Sequence, residues 1–155
     1  MIELIAFWGL FQPERLNVID CSGATSERIA YNTKTGDIYV YDSFKETYVP
    51  KKKVINKSDF GSGLLGSAGY NMTEKTESLY VGDNLKIKEV QSGSGNMNMY
   101  SYEANTTETF TIFDANKIEK SNFKGKYSLS GFNGFNSVNK SGNISCKLNN
   151  YYEFK

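Results

Sequence analysis

The chain of 155 residues contains no histidine. Histidine is the side chain that most often transfers protons near neutral pH and most often binds transition metals. Its absence excludes Ser-His-Asp and Cys-His nucleophile systems and every metal site that needs an imidazole ligand. Paired carboxylates could still cleave glycosidic bonds, but the acidic residues fall in predicted turns, on exposed faces or beside lysines. We therefore expect no enzyme, no metal and no cofactor.

Long apolar runs and a strong net charge are also lacking. The formal net charge is +1, which argues against nucleic acid as a partner because nucleic-acid binders carry a basic face. The most apolar stretch, residues 2–11, is far shorter than the ~20 residues that cross a bilayer, so we expect no membrane span. It contains the only tryptophan, Trp8, and Pro13 is expected to end it.

The predicted organisation is an apolar N-terminal segment, residues 1–13, followed by a single domain, residues 14–155. Three roles are open for the segment. It packs on the core of its own domain, it is the remnant of an export signal from a misassigned start, or it is an anchor that docks into another chain.

Cysteine is scarce, with only Cys21 and Cys146. No Cys-x-x-Cys motif is present, which excludes a structural zinc site. Two interpretations remain open for the pair. A disulfide would tie the first strand of the predicted domain to the last and would suit an exported protein. Alternatively, both residues are buried thiols that act as small apolar side chains.

Alternating apolar and polar residues, typical of β-strands, dominate the chain from residue 15 onward. The clearest signal is a hairpin over residues 28–42, in which Gly36 follows a polar turn and can adopt positive φ. Leu85 and Ile87 share one predicted face, as do Phe110 and Ile112. Eight to ten such segments predict an all-β fold, an antiparallel meander that forms a small barrel or a sandwich.

Glycine-rich stretches interrupt this pattern. Gly61, Gly63 and Gly66 form a literal G-x-G-x-x-G motif, but dinucleotide binding needs a buried strand before the motif and a helix after it. Neither is predicted, so residues 60–70 are expected to form a flexible loop or a strand edge that another backbone approaches closely. Residues 92–96 are predicted to be a loop. The three lysines of residues 51–53 are also predicted to lie in a loop, with their side chains solvated.

Tyrosine, asparagine, serine and glycine are abundant, a composition typical of recognition loops. Tyr39 and Tyr41 alternate on one predicted strand, as Tyr100 and Tyr102 do on another. Facing outward, these pairs would form an aromatic patch for sugars or proteins. Facing inward they would belong to the core, which is the placement we expect. With Trp8, these four tyrosines are the candidate binding residues.

The sequence therefore favours a non-enzymatic β-rich interaction module. We expect it to be exported or displayed on a particle surface, in an extracellular, periplasmic or virion setting, with a protein or glycan partner. One alternative is a structural subunit of a virion, tail or filament, which would dock through the apolar N-terminal segment into an oligomer or larger assembly. A second alternative is a barrel that carries a small apolar ligand.

Overall fold

The computed structural model describes residues 15–63, 66–97 and 100–153. Within these residues the chain forms β-strands and no helix, so none of the described residues belongs to a helix able to cross a membrane. The predicted N-terminal segment, including Trp8, lies outside the described residues. The strands are β1 (Arg15–Gly23), β2 (Glu27–Asn32), β3 (Ile38–Asp42), β4 (Thr47–Pro50), β5 (Val54–Gly63), β6 (Gly66–Val81), β7 (Asn84–Met97), β8 (Tyr100–Ile112), β9 (Asn122–Phe132) and β10 (Ser137–Glu153).

All ten strands belong to one sheet in the order β4-β3-β2-β1-β10-β9-β8-β7-β6-β5. Every neighbouring pair is antiparallel. Two runs of hairpins, β1–β4 and β5–β10, are joined where β1 pairs with β10. The predicted all-β antiparallel fold is confirmed. The predicted architecture was a barrel or a sandwich. The chain forms a single curled sheet, which is a half-barrel.

The connection from β4 to β5 closes much of the curl, because it crosses from one edge of the sheet to the other. The Lys51 amide donates to the Ile38 carbonyl of β3 at 2.9 Å, and the Thr76 amide of β6 donates to the Lys53 carbonyl at 2.8 Å. Near one end, the Tyr80 hydroxyl donates to the Thr33 carbonyl at 3.0 Å. These bonds hold the β2–β3 hairpin against β6.

The concave side of the sheet, here called the inner face, contains the apolar core. Residues two apart on a strand share a face, and Leu85 with Ile87 and Phe110 with Ile112 are buried there as predicted. Tyr31 extends the core to the loop after β8, where its hydroxyl donates to the Ala115 carbonyl at 2.8 Å. The buried cluster consists of Ile19, Cys21, Ile29, Tyr31, Leu85, Ile87, Phe110, Ile112, Ala115, Phe123, Tyr127, Ile144 and Cys146.

A disulfide within this cluster joins the first strand of the chain to the last. Cys21 of β1 and Cys146 of β10 are direct cross-strand partners, are both buried, and form a bond across a sequence separation of 125 residues. The bond therefore crosslinks the pairing through which the two hairpin runs become one sheet.

Two predicted loops are strands instead. Residues 92–96 lie within β7, and residues 60–70 are divided between β5 and β6, apart from residues 64–65, which are not described. Glycine suits these strands because neighbouring backbone comes very close. A Cβ on Gly93 would lie 2.3 Å from the Asn71 carbonyl oxygen. The alternative prediction of a strand edge agrees with the position of β5 at one edge of the sheet.

Candidate functional site

A groove lined by tyrosines lies on the convex side of the sheet, here called the outer face. Val18, Ala30 and Tyr39 are consecutive cross-strand partners on β1, β2 and β3, so their side chains share this face. Val18 and Ala30 are buried. The resulting tyrosine groove has a volume of about 460 Å³ and is lined by Val18, Arg28, Ala30, Tyr39, Val40, Tyr41 and Tyr48.

Aromatic contacts fix the wall of the tyrosine groove. The Tyr41 and Tyr48 rings, cross-strand partners on β3 and β4, meet edge to face with their centroids 5.3 Å apart. Tyr48 makes the same kind of contact with Tyr152 of β10 at 5.3 Å, and the hydroxyls of Thr47 and Tyr152 are hydrogen-bonded at 3.0 Å. Edge-to-face packing restrains the rings. Tyr41 nevertheless remains 58% exposed, so the restrained wall is open to solvent.

A fixed pair of opposite charges stands beside the aromatic wall. The Arg28 guanidinium donates to both carboxylate oxygens of Asp20, at 2.6 and 3.2 Å, and the Asn149 amide donates to the same carboxylate at 2.8 Å. These bonds, with Arg28 the larger influence, lower the pKa of Asp20. The pair is therefore charged at neutral pH, and the planar fork of Arg28 is held in place at the groove.

The structure separates the two predicted tyrosine pairs. The expectation that all four lie in the core is wrong for Tyr41, which is exposed, and for Tyr39, which is half-buried on the outer face. The reason is the strand register: Tyr39 pairs with Ala30, which is on the outer face, and Tyr41, two residues further along β3, shares that face.

Tyr102 is on the inner face of β8, beyond the apolar core. It stacks on Phe135 with ring centroids 6.1 Å apart, and its ring covers Gly95, where a Cβ would lie 2.5 Å from it. Tyr100 begins β8, but its side chain lies outside the described part of the structure, as does the whole of Trp8. The predicted residues that come together are therefore Tyr39 and Tyr41.

Four glutamates form a second polar site on the inner face, directly beyond the apolar core. Glu89 is two residues after the buried Ile87, and Glu108 is two residues before the buried Phe110. Glu89 and Glu108 are direct cross-strand partners. Glu74 is buried on the adjacent strand β6. Glu27 of β2 is close enough to Glu108 and Glu89 for the charges of these two carboxylates to act on it. These residues, Glu27, Glu74, Glu89 and Glu108, are called the carboxylate belt below.

Lys51 neutralises one half of the carboxylate belt. Its ammonium group lies 3.1 Å from a Glu89 oxygen and 3.4 Å from a Glu74 oxygen, and Lys57 reaches Glu74 at 3.8 Å. Burial favours neutral Lys51, but the bonds and charges of Glu89 and Glu74 outweigh it and raise the lysine pKa. Likewise, burial opposes ionisation of Glu89, but Lys51 lowers the pKa of that carboxyl. The prediction that residues 51–53 form a solvated loop is therefore wrong for Lys51.

The other half of the belt has a weaker partner. The Tyr127 hydroxyl donates to a Glu108 oxygen at 2.7 Å. Burial and this bond to an anion raise the pKa of Tyr127 to about 12, so the hydroxyl stays protonated. Partial desolvation, followed by the charges of Glu108 and Glu89, raises the pKa of Glu27. In the described residues no ion pair reaches Glu27 or Glu108.

Replacing Glu27 by glutamine is expected to stabilise the protein at pH 7. A carboxyl whose pKa is raised by folding holds its proton more tightly in the folded state, so it reduces stability as the pH rises through that folded pKa. Glutamine removes this loss. The gain in free energy of unfolding should be a few tenths of a kcal/mol, since Glu27 is solvent-screened, and should vanish near pH 3.5. Urea denaturation at both pH values measures it.

The control for this prediction is Glu103→Gln, which removes an exposed carboxylate from β8. An equal gain from Glu103→Gln at pH 7 would contradict a specific repulsion at Glu27 and would indicate a general effect of net charge.

Sequence reasoning missed the carboxylate belt because it assigned every acidic residue to a turn, an exposed face or the neighbourhood of a lysine. A signal was available in the two-residue period, which places Glu89 on the face of Leu85 and Ile87 and Glu108 on the face of Phe110. Nothing in the sequence indicates that Lys51 reaches Glu89, because that contact depends on the path of the β4–β5 connection from one edge of the sheet to the other.

Comparison of the chain with protein-family models, with curated proteins and with solved structures gives no match. The function therefore has to be inferred from the geometry and chemistry of the two sites.

Proposed function

We propose that this protein is a non-enzymatic recognition module that binds a glycan in the tyrosine groove. The observation that carries the proposal is the tyrosine-walled groove of about 460 Å³ on the outer face. It contains Tyr39 and Tyr41, two of the residues whose alternation in the sequence suggested an aromatic contact surface.

The size of the groove favours a glycan over a protein surface. Sites for small ligands are concave and occupy roughly 300–1,000 Å³, whereas a stable protein interface covers roughly 800 Å² on each partner. The tyrosine groove falls within the first range. A short oligosaccharide fits such a volume, and a protein would reach into it with no more than a protruding loop.

The chemistry of the groove also suits a sugar. A pyranose ring has faces of C–H groups that pack on aromatic rings, and hydroxyl groups around its edge that need hydrogen-bond partners. Tyr41 offers an exposed ring held by Tyr48, and tyrosine supplies contact area at low cost in conformational entropy. The Arg28–Asp20 pair, already fixed by hydrogen bonds, offers one donor group and one acceptor group to sugar hydroxyls.

Export is part of the proposal, and the disulfide supports it. A buried disulfide between Cys21 and Cys146 forms and persists in oxidising compartments and is rare where thiols are kept reduced. An extracellular, periplasmic or virion-surface location is consistent with glycan binding. The alternatives, an assembly subunit that docks through residues 1–13 and a carrier of an apolar ligand, stay predictions.

Tyr41→Ala is expected to weaken glycan binding by roughly tenfold or more, because a central aromatic contact is worth more than about 1 kcal/mol. The probes are immobilised neutral and acidic oligosaccharides, followed by NMR titration with the best binder. Tyr151→Ala is the matched control, since Tyr151 is 56% exposed, close to the 58% of Tyr41, and stacks under Arg15 away from the groove.

Two results would refute glycan binding in the groove. One is the failure of the wild-type protein to retain any oligosaccharide. The other is an equal loss of affinity in Tyr41→Ala and Tyr151→Ala, which would place the contact outside the groove.

A further inference from the structure

The carboxylate belt is unusual because the strand register places two of its glutamates, which carry like charges, directly opposite each other. Glu89 and Glu108 are direct cross-strand partners on β7 and β8, which places their Cβ atoms roughly 5 Å apart on one face. Like charges in this arrangement are destabilising unless a cation stands between them. Lys51 supplies a cation to Glu89, whereas Glu108 receives only the neutral Tyr127 hydroxyl.

A cavity opens directly over this pair of carboxylates. Its volume is about 290 Å³, and it is lined by Glu89, Gln91, Thr106, Glu108, Leu129, Asn133 and Val138. Two carboxylates therefore meet apolar side chains in one space. That combination matches a ligand that has a cationic end and an aliphatic body.

A second feature beside the belt also lacks a partner. Thr76 is the cross-strand partner of Glu89 on β6 and is 6% exposed. Its Oγ1 has no hydrogen-bond partner in the described structure. A buried hydroxyl without a partner is costly, and this one lies on the same face as Glu74 and Glu89. Thr76 lines the neighbouring cavity beside Lys51 and Lys53, so this hydroxyl lies outside the cavity over Glu89 and Glu108.

An ammonium group of the protein already lies within the belt. The Lys51 ammonium lies between Glu74 and Glu89 at 3.4 and 3.1 Å, with its side chain largely buried. An ammonium group is a compact charge with three donors, which suits several carboxylates at once. In the described residues no group of three or more acidic side chains is arranged to hold a metal ion.

We propose that the cavity over Glu89 and Glu108 binds a primary alkylammonium group, with the alkyl chain packed against Leu129 and Val138. The ammonium stands beside Glu108 in the way that Lys51 stands beside Glu89. A free amine or the side chain of a lysine on a partner protein provides this chemistry. The site is on the inner face, so it is independent of the tyrosine groove on the outer face.

The test is an NMR titration of the full chain with pentylamine, using pentanol and ammonium chloride as matched probes. Pentylamine is expected to shift resonances of residues around Glu108, and each of the other two compounds, which lacks either the charge or the chain, is expected to bind at least roughly tenfold more weakly. Equal binding of pentanol, or no binding of pentylamine at millimolar concentration, would overturn the proposal.

Glu108→Gln is expected to weaken pentylamine binding by roughly tenfold or more, since it removes a charge-assisted hydrogen bond while keeping the side-chain shape. Glu103→Gln, on the opposite face of the same strand, is expected to change affinity less than roughly twofold. Equal losses in the two variants would indicate general attraction to an acidic protein and would refute the site. Glycan binding is expected to be unaffected by Glu108→Gln, which separates this proposal from the groove.

A second variant protects the test against a folding defect in Glu108→Gln. Lys51→Met removes the internal ammonium from the belt, and pentylamine is then expected to raise the melting temperature of this variant more than that of the wild type. An equal or smaller rise would count against the proposal. Putrescine and Nα-acetyl-lysine amide then identify the source of the ammonium: stronger binding of putrescine indicates a free polyamine, and stronger binding of the lysine derivative indicates a partner protein.

Discussion

Replacement of both Cys21 and Cys146 by alanine is expected to lower the free energy of unfolding by about 4 kcal/mol. The bond closes a loop with a sequence separation of 125 residues, and the chain-entropy model assigns roughly 4–5 kcal/mol to a loop of this length. The denatured chain without the crosslink is also less compact, so the dependence of unfolding on urea should steepen. Urea denaturation of the two proteins, followed by circular dichroism, measures both effects.

The reduced wild-type protein is the control for the disulfide prediction, because it loses the bond and keeps both sulfur atoms. Its unfolding midpoint should approach that of the double variant. Both cysteines are buried, so reduction should be slow without denaturant and fast with it. If the oxidised wild type and the double variant unfold at the same urea concentration, the bond does not determine how β1 and β10 are held together.

Phe123→Ala is expected to cost about 3–5 kcal/mol, the usual range for truncation of a buried phenylalanine. Phe123 is 1% exposed and is the cross-strand partner of Cys146 in β9 and β10. Its ring is part of the cluster that includes the disulfide. Removing it therefore leaves a cavity next to the junction of the two hairpin runs, where the surrounding strands are crosslinked and collapse poorly.

Phe44→Ala is the matched control because Phe44 is 99% exposed in the β3–β4 turn. Its truncation should change the free energy of unfolding by less than about 0.5 kcal/mol. A loss at Phe123 no larger than that at Phe44 would contradict a single continuous core on the inner face.

The two proposed sites use the two faces of one curled sheet. The outer face has restrained tyrosines and a fixed charge pair, while the inner face has carboxylates beyond a packed core. Lys51 links the site chemistry to the fold, since the connection that carries it also bonds β3 to β6 through backbone hydrogen bonds. We therefore expect substitutions of Lys51 to affect both stability and the charge of the carboxylate belt.

Much of the strand structure could be predicted from the sequence. The hairpin around Gly36, which has a φ of 79°, and the buried faces of β7 and β8 follow from alternation and turn residues. Residues 92–96 were predicted to be a loop because glycine and serine disfavour strands locally. Pairing with β6 and β8 on both sides overrides that preference.

Less of the candidate site could be predicted. The alternation of Tyr39 and Tyr41 indicated an aromatic surface, but the favoured placement in the core was wrong for both residues. Tyr48, which completes the wall, lies on a strand of four residues that carries little pattern of its own. Its contact with Tyr152 spans more than a hundred residues of sequence, and no local signal encodes such a contact.

The sequence by itself determined that the chain is an antiparallel all-β protein without imidazole chemistry. It could do so because strand formation and the alternation of side chains between faces depend on neighbouring residues. Tertiary structure alone decided that the sheet curls, that Cys21 meets Cys146, that Lys51 crosses to Glu74 and Glu89, and that the tyrosines of β3 turn outward. These outcomes depend on contacts between distant strands, and only the packing of the whole sheet selects them.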